Sequence, residues 1–320
     1  MELLKTADFE AARRVAEEHI HRTPIMKSQG LSDAAGAQVF LKMELLQRTG
    51  SYKVRGPLNV LHHMTEEQRR RGVICASAGN HAQGVAYGAR TYGVPAVVVM
   101  SRHAPSVKID ATRSYGAEVI LHGEIWDDAY QRSREIEDER GLTYIHPFDD
   151  PRLMAGQGTV GLEIMQDLPQ VDCIIAPIGG GGLISGVAMA AKSINPRVMI
   201  IGVEAAGAPA MKRSIEAGRR IRLDSVTSLI DGLVVREVGE NTFEVARQLV
   251  DEIVLVTDDE IKENIIWLMQ RTKLVAEGAA AATVAALRLG RFTLPRGATV
   301  ACILSGGNLG LDFMKELIPN

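Results

Sequence analysis

The chain has 320 residues, of which 46% are hydrophobic and 23% are charged, and its formal net charge is -3. These values are typical of a soluble globular protein with two domains or one large α/β unit, without the basic excess that attracts nucleic acid or anionic membranes. Pro and Gly interrupt the longest apolar runs, and acidic residues stand near the N-terminus where a signal peptide would be basic. We therefore expect a cytoplasmic protein with neither nucleic-acid nor membrane partners.

Strand and helix patterns alternate along most of the chain. A first strand is predicted at AQVFLKMELL, and from about residue 72 further strands are predicted at VICAS, AVVVM, AEVIL, LTYIH, DCIIAPI, VMIIGVE, EIVLV and TVACILS. Helical spacing occupies the intervening segments PSVKIDATRSYG, IWDDAYQRSREIEDERG, PRLMAGQGTVGLEIMQDL and DDEIKENIIWLMQRTKL. Several strand runs are apolar throughout, which is typical of parallel strands covered on both faces. The pattern predicts an α/β protein with two open parallel sheets.

Two domain boundaries are predicted. One lies near Arg48, after the first strand, and the other lies in IHPFDDPR, from Ile145 to Arg152, where a strand gives way to an acidic, Pro-containing turn. A small domain of residues 50–148 would then be inserted into a large domain formed by residues 1–49 and 149–320. Ligands commonly bind between such domains, at the carboxyl ends of the strands.

The three cysteines, Cys75, Cys173 and Cys302, each lie in an apolar strand run. None has a second cysteine or a histidine at metal-binding spacing. We expect buried thiols, and the sequence predicts no metal site.

Four polar, Gly-rich stretches each follow a predicted strand and precede a predicted helix. They are RTGSYKVRG (48–56), SAGNHAQG (77–84), GGGGLISG (179–186) and SGGNLG (305–310). Backbone amides at a helix start bind anions, so the second stretch suits a carboxylate and the third a phosphate. One Gly-rich turn is usually structural, but four at strand ends indicate a ligand site.

Two phosphate-binding alternatives compete with a pyridoxal-phosphate site. No segment has the P-loop pattern GxxxxGK[ST], which excludes that motif. A dinucleotide site stays open, because Gly180, Gly182 and Gly186 follow a strand and Glu204 ends the next one. That site would leave the other three stretches without a role, whereas pyridoxal phosphate uses all four: a lysine, a phosphate cup, ring contacts and a carboxylate site.

The four motifs, in this order, closely resemble those of the β-family, or fold-type II, of pyridoxal-phosphate enzymes, the tryptophan synthase β-like fold. Within it they resemble the serine/threonine dehydratase group, which also contains serine racemase. The resemblance runs from about residue 10 to the C-terminus. It implies pyridoxal 5'-phosphate as cofactor and the conversion of L-threonine or L-serine to 2-oxobutanoate or pyruvate and ammonia. It also implies a homodimer or homotetramer.

The resemblance assigns roles to individual residues. Lys53 becomes the catalytic lysine, which forms a Schiff base with the cofactor and removes the substrate's α-proton. Asn80 becomes the partner of the ring hydroxyl and Ser305 that of the pyridine nitrogen, where a neutral hydroxyl favours elimination. The implied cofactor-binding set is Tyr52, Lys53, Asn80, Gly179, Gly180, Gly181, Gly182, Leu183, Gly232, Glu277, Ser305 and Gly306. The implied substrate-binding set is Ser77, Ala78, Gly79, Asn80, His81 and Phe148.

Three positions distinguish relatives within the group. Ala78 stands where serine racemase has a serine base, so proton delivery to that face loses its carrier. Phe148 replaces a racemase asparagine and could contact threonine's methyl group, a contact of about 1 to 3 kcal/mol. The racemase metal site uses Glu204 and a second acid, and Ala210 replaces that acid. Threonine dehydration without a metal ion is thereby favoured.

Two features depart from the longer or commoner relatives. Tyr52 replaces the usual phenylalanine before the lysine. The longer biosynthetic dehydratases add a C-terminal regulatory domain, and its absence here predicts no feedback inhibition by isoleucine; a role in threonine catabolism or in isoleucine biosynthesis stays open. The alternatives are serine racemase, 3-hydroxyaspartate dehydratase, cysteine-synthase-like β-replacement and an NAD-dependent oxidoreductase.

Overall fold

Two β-sheets organise residues 2–317, the part of the chain that the structure, a computed structural model, describes. The larger sheet has the strand order β1-β2-β10-β7-β8-β9 and the smaller one β5-β4-β3-β6. All neighbouring strands are parallel except β1 and β2, which are antiparallel. The strands are β1 (Ile25–Lys27), β2 (Gln38–Lys42), β3 (Val73–Ala76), β4 (Ala96–Met100), β5 (Glu118–Leu121), β6 (Thr143–Tyr144), β7 (Cys173–Pro177), β8 (Met199–Ala205), β9 (Glu252–Val256) and β10 (Thr299–Ile303).

Helices connect the strands and cover both sheets. They are α1 (Thr6–Glu17), α2 (Gln29–Ala35), α3 (Arg55–His62), α4 (Glu66–Arg71), α5 (Asn80–Tyr92), α6 (Ser106–Ser114), α7 (Trp126–Arg140), α8 (Pro151–Asp167), α9 (Gly182–Ile194), α10 (Ala210–Glu216), α11 (Glu240–Leu249), α12 (Asp258–Thr272), α13 (Gly278–Arg288) and α14 (Leu311–Leu317). Single 3₁₀ turns form at Glu44–Leu46 and Tyr52–Val54.

The predicted strands and helices are confirmed, and the two-sheet α/β fold with them. The strands β3, β4, β7 and β10 are buried along their whole length, which explains why their sequences are apolar throughout. Cys75, Cys173 and Cys302 are free, buried thiols, as expected. The edge strand β1 was not predicted; it has three residues, none of them buried.

The two sheets draw on different parts of the chain. The smaller sheet uses only residues between Val73 and Tyr144, whereas the larger uses strands from both ends of the chain. Helix α3 packs against α8 so closely that a Cβ added at Gly156 would lie 2.5 Å from the carbonyl oxygen of Arg55. The domain boundaries at residues 50 and 148 stay a prediction. Within residues 2–317, no helix is both long and apolar enough to cross a membrane.

Polar loops follow three of the strands, β3 of the smaller sheet and β7 and β10 of the larger. Strand β3 ends at Ala76, one residue before Ser77, and β7 ends at Pro177, two residues before Gly179. Strand β10 ends at Ile303, two residues before Ser305. Because these loops leave the carboxyl ends of their strands, their amides and hydroxyls can face one crevice.

Candidate active site

Lys53 lies in the 3₁₀ turn Tyr52–Val54, immediately before α3. Its Nζ donates a hydrogen bond to the carbonyl oxygen of Pro147 at 3.0 Å and lies 5.4 Å from the centre of the Tyr52 ring. Burial lowers the pKa of Lys53 to about 8, and the nearby Glu277 carboxylate opposes that shift. A lysine with this pKa is partly unprotonated near neutral pH, as a nucleophile or base must be.

Asn80, the first residue of α5, is held from two sides. Its Nδ2 donates to both carboxylate oxygens of Glu277 at 2.9 Å. Its Oδ1 accepts from Nδ2 of Asn308 at 2.7 Å, and the same Asn308 nitrogen donates to the carbonyl oxygen of Thr49 at 2.8 Å. Burial raises the pKa of Glu277 to about 7, although the Asn80 hydrogen bond lowers it. Two predicted residues, Asn80 and Glu277, are thus in direct contact.

The Ser77–His81 stretch forms the turn that enters α5. The backbone N–H of Gly79 donates to Ser77 Oγ at 3.2 Å, and Ser77, Ala78 and Gly79 are half-buried. His81 is buried, and its Nε2–H donates to the carbonyl oxygen of Ile145 at 3.0 Å. Burial lowers the pKa of His81 to about 3, so the ring is neutral at physiological pH. Its free Nδ1 has no hydrogen-bond partner within residues 2–317.

The glycine run lies between β7 and α9 and has no room for side chains. A Cβ at Gly179 would meet the carbonyl oxygen of Gly232 at 2.3 Å, and one at Gly180 would meet the Phe148 ring at 2.1 Å. Gly181 has φ +96°, in the region that favours glycine. The sequence predicts a phosphate at this run, and neighbouring protein also approaches its backbone closely. Leu183, the second residue of α9, packs into the core beneath the loop.

Ser305 lies two residues beyond β10 and is 1% exposed. Its carbonyl oxygen accepts from the backbone N–H of Tyr52 at 3.0 Å, and Ser51 pairs with Gly306 through a β-bridge. The hydroxyls of Ser51 and Ser305 are both buried without a hydrogen-bond partner in the described chain. A buried polar atom without a partner carries a cost, so these two hydroxyls are available for a polar ligand.

The predicted residues come together through a small number of contacts. Gly306 lies against Glu277, because a Cβ there would be 2.3 Å from Glu277 Oε1. Tyr52 is partly buried and packs against the core beside the site, and burial raises the pKa of its hydroxyl. Contacts through Tyr52 and Glu277 link these residues to Lys53, Asn80 and Ser305.

Sequence reasoning missed several residues that hold the site. The Asp149 carboxylate accepts backbone N–H groups of Glu240, Asn241 and Thr242 at 2.9, 2.9 and 3.1 Å, capping the start of α11. Thr242 Oγ1 donates to the carbonyl oxygen of Gly180 at 2.8 Å, which ties α11 to the glycine run. The two acidic residues directly after Phe148, Asp149 and Asp150, are the sequence signal that could have indicated such a cap.

Glu204 was considered as a ribose contact or a metal ligand. Its carboxylate accepts backbone N–H groups of Met211 at 2.7 Å and Lys212 at 2.9 Å, at the start of α10. This use leaves the dinucleotide alternative without its acidic contact. Within residues 2–317, no group of three or more His, Cys, Asp or Glu side chains is arranged to hold a metal ion.

Comparisons with known proteins agree with the family resemblance of the four sequence motifs. The family described as pyridoxal-phosphate dependent enzyme matches residues 16–306. The chain is 46% identical over 316 residues to the L-threonine ammonia-lyase of Thermotoga maritima, covering 99% of this chain and 78% of that protein. It is 44% identical over 311 residues to the catabolic L-threonine dehydratase TdcB of Escherichia coli K12, covering 97% and 94%.

Solved structures agree as well. The processed threonine deaminase isoform 2 of Solanum lycopersicum superposes with a TM-score of 0.93 at 35% identity, covering 99% of this chain and 96% of that one. Maize serine racemase gives a TM-score of 0.94 at 34% identity, covering 98% and 97%. The fold-type II architecture and the resemblance to the serine/threonine dehydratase group are thereby confirmed. The chain belongs to the family of pyridoxal-phosphate dependent enzymes.

Proposed function

We propose that this protein is a lyase that dehydrates and deaminates L-threonine to 2-oxobutanoate and ammonia, and L-serine to pyruvate and ammonia. The observation that carries the proposal is the half-buried Lys53 amine, hydrogen-bonded to Pro147, next to the Phe148 ring that packs on Gly180 of the glycine run. Contacts through Tyr52 and Glu277 connect it to Asn80 and to Ser305, whose buried hydroxyl has no partner within residues 2–317. Relatives that are 44 to 48% identical over nearly the whole chain are named threonine ammonia-lyase or threonine dehydratase.

The residues in the crevice fit pyridoxal phosphate. Lys53 would hold the cofactor covalently, and the backbone amides from Gly179 to Leu183, at the start of α9, would bind its phosphate. The buried Ser305 hydroxyl, which has no partner in the described chain, would face the ring nitrogen. Asn80 would contact the ring hydroxyl. Bound there, the cofactor supplies an electron sink for charge that develops on the substrate's α-carbon.

The protein's own groups supply binding and proton transfer. Backbone amides in the turn from Ser77 to His81, at the start of α5, would bind the substrate carboxylate. The Lys53 amine, with its pKa of about 8, would accept the α-proton as general base. Ser305 carries no charge, so it would not hold the ring nitrogen protonated, and elimination is favoured over reactions that need a long-lived carbanion.

Two positions support a dehydratase over a serine racemase. Ala78 has no group that could carry a proton to the substrate face opposite Lys53. Phe148 packs its ring against Gly180 and its backbone against Gly182, and it would form an apolar wall for threonine's methyl group. Serine racemisation and 3-hydroxyaspartate dehydration are the neighbouring alternatives within the family.

A ketoacid assay tests the proposal. Purified protein saturated with pyridoxal phosphate should form 2-oxobutanoate from L-threonine and pyruvate from L-serine, with equimolar ammonia. Chiral chromatography of the residual serine measures racemisation in the same reactions. Formation of D-serine without ketoacid would reject the dehydratase proposal in favour of the racemase.

The assembly and location follow from the resemblance alone. We propose a homodimer or homotetramer, which light scattering coupled to size-exclusion chromatography tests directly. A cytoplasmic location also stays a prediction, and fractionation of the source cells tests it.

A further inference from the structure

A closed group of four buried charges lies behind the turn that carries Lys53. Lys42, Glu44, Arg55 and Glu163 are each at most 3% exposed. Arg55 Nε and Nη2 donate to the two Glu44 oxygens at 2.8 Å, and Nη1 and Nη2 donate to Glu163 at 2.7 and 3.0 Å. Nη1 also donates to Thr159 Oγ1 at 2.9 Å. All five N–H groups of the guanidinium are therefore used.

The second cation completes the group. Lys42 Nζ donates to Glu163 and to the carbonyl oxygen of Thr23, and the Thr23 hydroxyl donates to Glu44. Two cations thus face two anions, and the group carries no net charge.

Arg55 connects this charge group to Lys53, which precedes it by two residues. The backbone here is confined by two helices: a Cβ at Gly84 of α5 would lie 2.6 Å from the Lys53 carbonyl oxygen, and one at Gly156 of α8 would lie 2.5 Å from the Arg55 carbonyl oxygen. The Arg55 side chain adds rigid links to Glu44 before the turn and to Glu163 on α8. It therefore fixes the Lys53 turn against two separate elements.

Stability does not explain four buried charges at this position. Apolar side chains of the same volume usually stabilise a fold as well as a buried ion pair does, because desolvation offsets the attraction. What an arginine held by two carboxylates does provide is a defined orientation. The group is neutral, and the pKa of Lys53 responds to burial and Glu277, so geometry is the contribution that remains.

We propose that Arg55 is a positioning residue for Lys53: its bonds to Glu44 and Glu163 hold the Lys53 amine where it meets the cofactor and substrate. This inference rests on the proposed function for its kinetic readout, but not for its cofactor readout. The Arg55 guanidinium is 1% exposed and all its N–H groups are bonded to protein, so it would act only through the turn.

Two variants of the full-length enzyme test the role. Arg55→Met with Glu44→Gln leaves the Lys42–Glu163 pair, whereas Lys42→Met keeps every bond from Arg55 to Glu44 and Glu163. Both remove one cation from the same buried group. For both, pyridoxal phosphate is titrated and the fraction of Lys53 covalently occupied is trapped with borohydride and read by mass spectrometry. kcat and KM for L-threonine and the free energy of unfolding are measured beside it.

The Arg55 variant should raise the half-saturating pyridoxal-phosphate concentration and lower kcat, each by about tenfold or more, with KM changed by less than about threefold. The Lys42 variant should change the half-saturating pyridoxal-phosphate concentration and kcat by less than about threefold each. This should hold even if its loss of unfolding free energy equals that of the Arg55 variant. Equal losses in both variants, or no loss in the Arg55 variant, would overturn the proposal.

If the Arg55 double variant fails to fold, Arg55→Lys takes its place, because it keeps the charge but loses the planar fork. Wild-type occupancy of Lys53 and wild-type kcat in that variant would reject the positioning role; a tenfold loss of both, as above, would support it. If the wild-type enzyme binds pyridoxal phosphate on Lys53 but does not convert threonine, the proposed function is refuted. The role of Arg55 is still tested in that case, because the occupancy of Lys53 can be compared between the variants.

Discussion

Two cations, the half-buried Lys53 and the buried Arg55, lie two residues apart and have opposite surroundings. Burial alone would lower the pKa of Arg55, but Glu44 and Glu163 raise it above its usual range. Lys53 donates to one neutral carbonyl oxygen, and burial lowers its pKa to about 8. The carboxylate that opposes this shift, Glu277, is itself bonded to Asn80. The comparison teaches that the reactive amine of Lys53 is bonded to a neutral acceptor. The paired carboxylates instead bind Arg55, which supports the turn that carries Lys53.

Removing the amine should have the largest effect. Lys53→Ala should lose both the visible absorbance of the bound cofactor and at least about 1,000-fold in threonine turnover, because it removes the covalent link and the general base. Spectroscopy and a ketoacid assay measure the two. Lys27→Ala, on an exposed lysine of β1, serves as control. Retained turnover in Lys53→Ala would exclude that residue from the mechanism.

Breaking the paired group should also affect stability. Glu163→Ala leaves Arg55 and Lys42 with one carboxylate between them, and we expect a loss of about 3 to 5 kcal/mol in unfolding free energy. Arg132→Ala, which breaks surface pairs with Glu135 and Glu139, should cost far less. Urea unfolding of both variants measures the difference, and a cost for Glu163→Ala as small as the surface cost would show that the buried group is not tightly paired.

The glycine run should tolerate no side chain. In Gly180→Ala the new Cβ would lie 2.1 Å from the Phe148 ring, and we expect a loss of about 1 to 3 kcal/mol in unfolding free energy together with weaker cofactor binding. Gly30→Ala adds a methyl group at an ordinary 3.7 Å from Trp267 and should be neutral or stabilising. Thermal unfolding and cofactor titration test the pair. Unchanged cofactor binding in Gly180→Ala would remove this loop from the cofactor site.

Glu277 should make stability depend on pH. Its pKa is about 7 in the folded protein and 4.5 ordinarily, so the folded state binds more protons between these values and loses stability as pH rises through them. Relative to Glu277→Gln, the cofactor-free wild type should lose on the order of 1 to 3 kcal/mol of unfolding free energy between pH 4.5 and 7. Urea unfolding at several pH values measures this loss, with Glu118→Gln as an exposed control. Parallel pH curves would contradict the raised pKa.

The smallest effect is expected at Ala78. Ala78→Ser places a hydroxyl where racemases carry one, so trace formation of D-serine should appear while ketoacid formation stays within about threefold of wild type. Chiral chromatography measures D-serine, and Ala78→Cys, of similar size, tests whether bulk alone has an effect. No D-serine from either variant would mean that this position does not decide between the two reactions.

The strands and the site loops were predictable because their signals are local. Continuous apolar runs such as Ala96–Met100 predict buried parallel strands, and glycine-rich loops at strand ends predict a ligand site. The edge strand Ile25–Lys27 was missed because three residues, none of them buried, show no clear alternation. Its antiparallel pairing with β2 is a tertiary feature that local pattern does not contain.

The supporting contacts could not be predicted because they join distant positions. Arg55 is 11 residues from Glu44 and 108 from Glu163, and an arginine near a glycine turn is normally exposed. The acceptor for Lys53 is a backbone carbonyl oxygen, that of Pro147, which no side-chain pattern reveals. Asp149 likewise acts on amides that are more than 90 positions away.

The most direct test of the contrast between the two cations is the reactivity of the Lys53 amine in the cofactor-free protein. The protein would be labelled with an amine-reactive reagent across a pH series, and modification at Lys53 and at exposed lysines would be quantified by mass spectrometry. We predict a midpoint near pH 8 for Lys53, well below that of the exposed lysines. A midpoint for Lys53 near the ordinary lysine value of 10.5 would contradict the conclusion that burial without a paired anion prepares this amine for chemistry.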